Sequence, residues 1–86
     1  MTTATTILTV RYFAAARAAA GVDTEPLEVS GTVDDAIRAI RDRHGSELGR
    51  VLDRCSYLLD EVAVRDRSTS LPAGATLDVL PPFAGG

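Results

Sequence analysis

No lysine occurs in this 86-residue chain, and all nine of its basic residues are arginine. The protein therefore offers no side-chain amine, which excludes isopeptide-linked chains built on its own side chains. Tryptophan is also absent, and there is one cysteine, Cys55, and one histidine, His44. A single thiol excludes an internal disulfide and any thiolate metal cluster made by this chain alone, and with one histidine a zinc site is not expected. Cys55 precedes an expected strand, where a free cysteine is ordinarily a small buried apolar residue. No apolar run approaches the roughly 20 residues of a membrane span. The N-terminal run Met1-Thr2-Thr3-Ala4-Thr5-Thr6 has neither the basic region nor the apolar stretch of a secretory leader, so the expected setting is cytoplasmic. With nine basic residues against twelve acidic ones, the net charge is −3, and no basic stripe for nucleic acid is present.

What remains is the composition of one small folded domain: 45% hydrophobic and 24% charged residues. At this length a domain buries only about 60% of the surface of its unfolded chain, so the core must be small.

Thr6 to Phe13 is rich in β-branched and aromatic residues and predicts a first strand. Alternation puts Leu8, Val10 and Tyr12 on the core face and Ile7, Thr9, Arg11 and Phe13 on the other. Ala14 to Ala20 predicts a short helix stopped by Gly21. Thr24 to Val29 predicts a second strand, which Pro26 confines to an edge or to a position that donates no ladder bond.

After the break at Ser30-Gly31, Thr32-Val33-Asp34-Asp35 has the form of a capping box. Val33, Ala36, Ile37 and Ile40 form one helical stripe, with Gly45 as the expected stop. This is the main helix, over about 32–44. Its charges are expected to form a solvated face, and His44 in the last turn suits the helix dipole. A further helical turn is expected over Ser46 to Asp53. Two short strands, Ser56 to Leu59 and Val62 to Val64, then flank Asp60-Glu61. Thr76 to Leu80 predicts a last strand with Leu77 and Val79 inward, and Asp78 and Leu80 outward.

Strand, strand, helix and then further strands make an α+β pattern, a mixed sheet of about four to five strands with one main helix packed on it. The β-grasp architecture fits best, as a domain over 1–80 with an extended tail over 81–86. In such a sheet the first and last strands lie side by side in the middle, and Phe13 and Leu80 reach the exposed face.

Pro81 and Pro82 cannot extend a ladder and stiffen the exit toward polyproline geometry. Phe83, Ala84, Gly85 and Gly86 then reach about 13 Å further at roughly 3.3 Å per residue. Two glycines without Cβ atoms can thread a narrow channel and present a carboxylate to another protein's active site. A terminal carboxyl has a pKa of roughly 3.5, is ionised at neutral pH and is a poor electrophile until activated, most simply as an acyl-adenylate. Nothing in the chain assembles a conventional active site, since it has one Cys, one His and no glycine-rich phosphate loop.

The stretches VRYFAAARAAAG (Val10 to Gly21), the capped helix at Thr32 and LPAGATLDVLPPFAGG (Leu71 to Gly86) resemble the MoaD/ThiS family of ubiquitin-like sulfur carriers, and within it the small subunit of molybdopterin synthase. The closing PPFAGG is close to that subunit's PPxxGG end. Two positions depart from the family pattern: Gly74-Ala75-Thr76 stands where Gly-Asp-Glu is common, and Asp60 where Asn is common.

The resemblance implies a β-grasp fold and a carrier rather than an enzyme in its own right. An E1-like adenylyltransferase would activate the Gly86 carboxylate with ATP, and a sulfur donor protein would convert it to a thiocarboxylate. The large subunit of molybdopterin synthase would then accept the tail and pass sulfur to a pyranopterin precursor. On this reading Gly86 carries the cargo and Gly85 adjoins it. Phe13, Leu80, Pro81, Pro82, Phe83 and Ala84 meet the partners, Phe13 and Leu80 because they match family positions on the partner-facing surface. Arg17 matches an arginine common after the first strand. The chain itself would bind no cofactor and no metal. The alternatives are a carrier for thiamine, cysteine or tRNA thiolation, and a ubiquitin-like interaction module that performs no tail chemistry.

Overall fold

The computed structural model describes residues 6–82. The elements follow in the order β1 (Thr6–Tyr12), α1 (Ala14–Ala20), β2 (Thr24–Val29), α2 (Val33–His44), α3 (Ser46–Leu52), β3 (Ser56–Leu59), β4 (Val62–Ala63) and β5 (Thr76–Leu80). The strands form one mixed sheet in the spatial order β2-β1-β5-β3-β4. β1 runs parallel to β5, and the other three pairings are antiparallel. This is the β-grasp arrangement expected from the element order, with five strands and three helices.

The core follows from side-chain period. Leu8, Val10 and Tyr12 from β1 join Leu27 and Val29 from β2, Tyr57 from β3, and Leu77 and Val79 from β5 on one face. Against it pack Val33, Ala36, Ile37 and Ile40 of α2, with Leu48 and Leu52 of α3 and Ala16 of α1. Burying one such aliphatic side chain is worth about 1.5–3 kcal/mol, so these contacts dominate the fold's stability. The helical stripe and the strand alternation both landed on the face the sequence pattern assigned to them.

Each end of α2 is fixed by local chemistry. Thr32 Oγ1 accepts from the Asp35 amide at 3.3 Å while the Asp35 carboxylate accepts from the Thr32 amide at 2.9 Å, a complete capping box. The hydrogen bonds from Thr32, backbone first, hold the Asp35 carboxyl below the usual range. Gly31 precedes the box with φ of 114°, and a Cβ there would collide with the Asp35 carboxylate. Only glycine suits that position.

Pro26 sits in β2, an edge strand, as its missing N–H requires. At the other side of the sheet, Leu59 pairs with Val62, and the two loop residues Asp60 and Glu61 have φ of 48° and 70°. That is the two-residue hairpin with both central residues left-handed, for which Asn-Gly is the favoured sequence.

Candidate functional site

β5 occupies the middle of the sheet, with β1 on one side and β3 on the other. Its start is closed by the Asp60–Thr76 pair: the Asp60 amide donates to the Thr76 carbonyl at 2.8 Å, and the Thr76 amide donates to Asp60 Oδ1 at 2.9 Å. Near its end, the Phe13 amide donates to the Val79 carbonyl at 3.2 Å. A strand bonded on both edges has little freedom of direction, so the chain that follows it leaves from a fixed point. The following residues, half-buried Pro81 and exposed Pro82, have no N–H with which to continue the ladder. The expected carrier residues Gly86 and Gly85, and the expected insertion residues Phe83 and Ala84, lie outside the described residues.

Phe13 and Leu80 each follow a register partner, Tyr12 and Val79, at the same end of the sheet. Phe13 is exposed and Leu80 half-buried, both on the face away from the helices. The Arg11 guanidinium lies 5.6 Å from the Phe13 ring centroid and also grips Asp78, with Nε to Oδ1 at 2.6 Å and the second donor to Oδ2 at 2.8 Å. Asp78 points outward as expected, yet it is only 4% exposed because the sheet and Arg11 cover it. Its hydrogen bond, and secondarily its charge, raise the Arg11 pKa.

Pro81 and Pro82 also wall an open groove of about 670 Å³ on the helical side of the exit. Ala15 of α1 and Val51 of α3 add apolar lining, and Arg50 and Arg54 add charged lining. Asp53 contributes to the lining, but its carboxylate is bound by Arg41 at 2.6 Å. Among the described residues, neither Arg50 nor Arg54 has a carboxylate within ion-pair distance.

Other polar residues have structural roles. Cys55 is buried, its thiol donates to the Val51 carbonyl at 3.2 Å, and burial pushes its pKa up to about 11. His44 Nε2 lies 2.5 Å from Glu25 Oε2, which also accepts from the Tyr12 hydroxyl at 2.5 Å. The imidazole stands edge-on to the Tyr12 ring, with centroids 5.7 Å apart. His44 thus ties the end of α2 to the sheet, a tertiary role beyond its placement on the helix dipole. Burial, followed by the Glu25 hydrogen bond, raises the Tyr12 pKa, so Tyr12 remains a donor. Arg17 pairs with Asp23 at 3.6 Å on the surface. Among the described residues, no three His, Cys, Asp or Glu side chains group to hold a metal ion, and no helix is long and apolar enough to cross a membrane.

Sequence reasoning missed three features: the Arg11–Asp78 fork, the Tyr12–Glu25–His44 cluster and the groove that Arg50 and Arg54 help to line. The first had a signal, because once β1 and β5 are neighbours, aligning their inward residues places Arg11 beside Asp78. The other two depend on how helices seat on the sheet, which no local pattern states.

The sequence profile of the ThiS family matches residues 10–86. No curated protein sequence matches the chain significantly. Among solved structures, the crystal structure of SAMP1 from Haloferax volcanii is 28% identical with a TM-score of 0.81, covering 93% of this chain and 99% of that one. A putative molybdopterin converting factor subunit 1 from Pyrococcus furiosus is 27% identical with a TM-score of 0.81, covering 91% and 99%. A complex of subunits 1 and 2 of molybdopterin-converting factor from Helicobacter pylori 26695 contains a chain with the same fold, at 22% identity and a TM-score of 0.70 over 93% and 99%. With a family profile spanning nearly its whole length and the strand order of the β-grasp fold, the chain belongs to the ThiS family of ubiquitin-like sulfur carriers.

Proposed function

We propose that the protein carries sulfur on the α-carboxylate of Gly86 and is the small, sulfur-donating subunit of a molybdopterin synthase. The observation that carries this reading is the run Pro81-Pro82-Phe83-Ala84-Gly85-Gly86 placed directly after the central, doubly bonded strand β5. A fixed launch point, two residues that cannot pair in a sheet and a narrow glycine end suit delivery of a carboxylate into another protein's channel. The similarity to the Pyrococcus furiosus putative molybdopterin converting factor subunit 1 supports the pathway. The Helicobacter pylori complex, a subunit of this fold with a second subunit, supports a large-subunit partner.

In the proposed cycle an E1-like enzyme uses ATP: the Gly86 carboxylate attacks the α-phosphate, pyrophosphate leaves and an acyl-adenylate forms. A persulfide sulfur of a donor protein then attacks the acyl carbon and expels AMP, and a thiol reductant cleaves the resulting acyl disulfide at its S–S bond, which releases the Gly86 thiocarboxylate and leaves the donor and the reductant joined as a disulfide. In the large subunit that sulfur passes to a pyranopterin precursor. The chain's own part is to bind, to aim the tail and to supply the carboxylate. Phe13 and Leu80, beside the exit on the exposed sheet face, are the proposed partner contacts there.

The test is reconstitution with an E1-like enzyme, ATP, a sulfur donor, a large subunit and the pyranopterin. The expected result is molybdopterin formation, together with a C-terminal mass gain equal to replacing one oxygen by sulfur that disappears on treatment with a thiocarboxylate-reactive reagent. A chain lacking Gly86 is expected to form none. If the intact chain acquires no such group, the carrier reading fails.

A second reading is favoured by the similarity to SAMP1, a small archaeal modifier protein. Here the activated carboxylate would join an amine of another protein. With no lysine, the attached chain could not itself be extended through a side chain. Appearance of this chain in covalent adducts on cell proteins, with no molybdopterin formed, would favour it.

A further inference from the structure

The groove beside the exit differs electrically from the protein around it. The chain as a whole is acidic, with net charge −3 and pI about 4.9. At the groove, by contrast, two exposed arginines, Arg50 and Arg54, share the lining with the apolar residues Ala15, Val51, Pro81 and Pro82. The one acidic residue among those lining the groove, Asp53, is bound by Arg41. Among the described residues, the other arginines of the helical layer each have a carboxylate within 4 Å: Arg17 with Asp23, Arg38 with Asp34, Arg41 with Asp53 and Arg43 with Glu25. Among the same residues Arg50 and Arg54 have none, a condition they share with Arg65 and Arg67 of the loop after β4, but only these two line a groove together with the residues of the tail's exit.

Position gives the occupant. An enzyme that takes the four residues after Pro82 into a channel can stand no further from Pro82 than their extended length, about 13 Å. Its surface at the channel mouth therefore lies within that distance of Pro82, which lines the groove. A groove lined by apolar residues and two cations is complementary to a segment that presents an apolar side chain and carboxylates.

We propose that this groove docks an acidic, apolar-anchored segment of the molybdopterin synthase large subunit, with Arg50 and Arg54 reading its carboxylates and Pro81, Val51 and Ala15 receiving its apolar side chain. The proposal rests on the sulfur-carrier reading above and adds the partner's chemistry on the helical side of the exit. Contacts of this kind steer encounter and set salt dependence, so the double charge reversal is expected to be read most clearly in association rate.

The experiment measures binding of the full chain to the large subunit, by calorimetry and by association kinetics, at low and high salt. Arg50→Glu/Arg54→Glu is expected to weaken binding by about tenfold or more and to reduce its salt dependence. The neutral variant Arg50→Gln/Arg54→Gln is expected to fall between this variant and wild type, and Arg65→Glu, outside the groove, to bind as wild type does. Circular dichroism and thermal melts check that the variants are folded, and the neutral pair keeps the question answerable if charge reversal unfolds the chain.

Unchanged affinity and salt dependence in both groove variants overturns the proposal. Tighter binding by the Glu variant also overturns it and points to a basic occupant. Concentration-dependent self-association lost in the Glu variant, with large-subunit binding unchanged, assigns the groove to a second copy and overturns it too. Thiocarboxylate formation at Gly86 is followed in parallel. If sulfur is acquired but the groove variants bind normally, the docking proposal alone falls. If wild type neither acquires sulfur nor binds the large subunit, the carrier reading falls and takes the docking site with it.

Discussion

Arg11 and Asp78, 67 positions apart in the chain, face each other across the parallel β1–β5 pair and are joined by a two-point fork of 2.6 and 2.8 Å. The fork bridges the two central strands on the sheet face that carries no helix. Removing Arg11 would leave a buried carboxylate without its counter-ion, a costlier state than having neither group. Thermal unfolding is therefore expected to rank Arg11→Ala below the double variant Arg11→Ala/Asp78→Ala in stability. Strictly additive losses would show that the two groups are not coupled.

Glu25 predicts an acid limb in stability. Burial alone would raise its pKa, but the hydrogen bonds from Tyr12 and His44, with the charges of His44 and Arg43, outweigh burial and lower it from the ordinary 4.5. A carboxylate lowered by folding stabilises the folded state fully above its unfolded pKa, and loses that contribution as pH falls through the lower folded value. Denaturant unfolding is expected to show stability declining below about pH 4.5, with a shallower decline in Glu25→Gln. The limb should flatten without vanishing, because Asp35 and Asp66 are also lowered.

Thr32→Ala removes the side-chain half of the capping box and is expected to cost about 1 kcal/mol. For a domain of this size that corresponds to a fall of about 4–8 °C in Tm. Gly31→Ala is expected to be worse, since its Cβ meets the Asp35 carboxylate and its φ is positive. Equal melting of Gly31→Ala and wild type would contradict the assigned role of the glycine.

At the β3–β4 hairpin, Glu61 holds φ of 70° where glycine would be unstrained. Glu61→Gly is expected to stabilise the protein by about 1 kcal/mol, since a non-glycine residue pays roughly that much in left-handed backbone. Asp60 is the poorer site for change, because Oδ1 accepts from the Thr76 amide that begins β5. Denaturant midpoints of the two variants should move in opposite directions for Glu61→Gly and Asp60→Ala.

Cys55 should be chemically silent in the folded protein. Burial and a thiol pKa of about 11 leave very little thiolate near neutral pH. Labelling with a disulfide reagent at mildly alkaline pH is expected to be slow in the native state and complete in denaturant. Rapid native labelling would mean that the end of α3 opens readily.

The elements were legible because their signals are local. Strand alternation needs only neighbours two apart, the α2 stripe only neighbours three and four apart, and the capping box only Thr32 through Asp35. Gly21 marks the end of α1 as the sequence requires, with φ of 81° and its amide donating to the Arg17 carbonyl. The chemistry of the tail was legible for the same reason: two prolines, an aromatic and two glycines define what an end can reach, and that run carries the family resemblance.

Helix seating was not legible, and the β1–β5 register only once the two strands are taken as neighbours, because both are decided by packing the whole core at once. Asp78 reads as an ordinary outward acid until the β1–β5 register sets Arg11 over it. His44 reads as a helix-end cation until α2 settles on the sheet beside Glu25 and Tyr12. Arg50 in α3 and Arg54 just after it have no local signal of a shared site until α3 and the end of β5 come together around the groove. The sequence by itself determined the lysine-free surface, the elements, their buried faces and the glycine end, because composition and short-range periodicity suffice for each. Only the tertiary structure decided which charges meet and which arginines are left without partners, because those depend on long-range pairing that no short window of sequence contains.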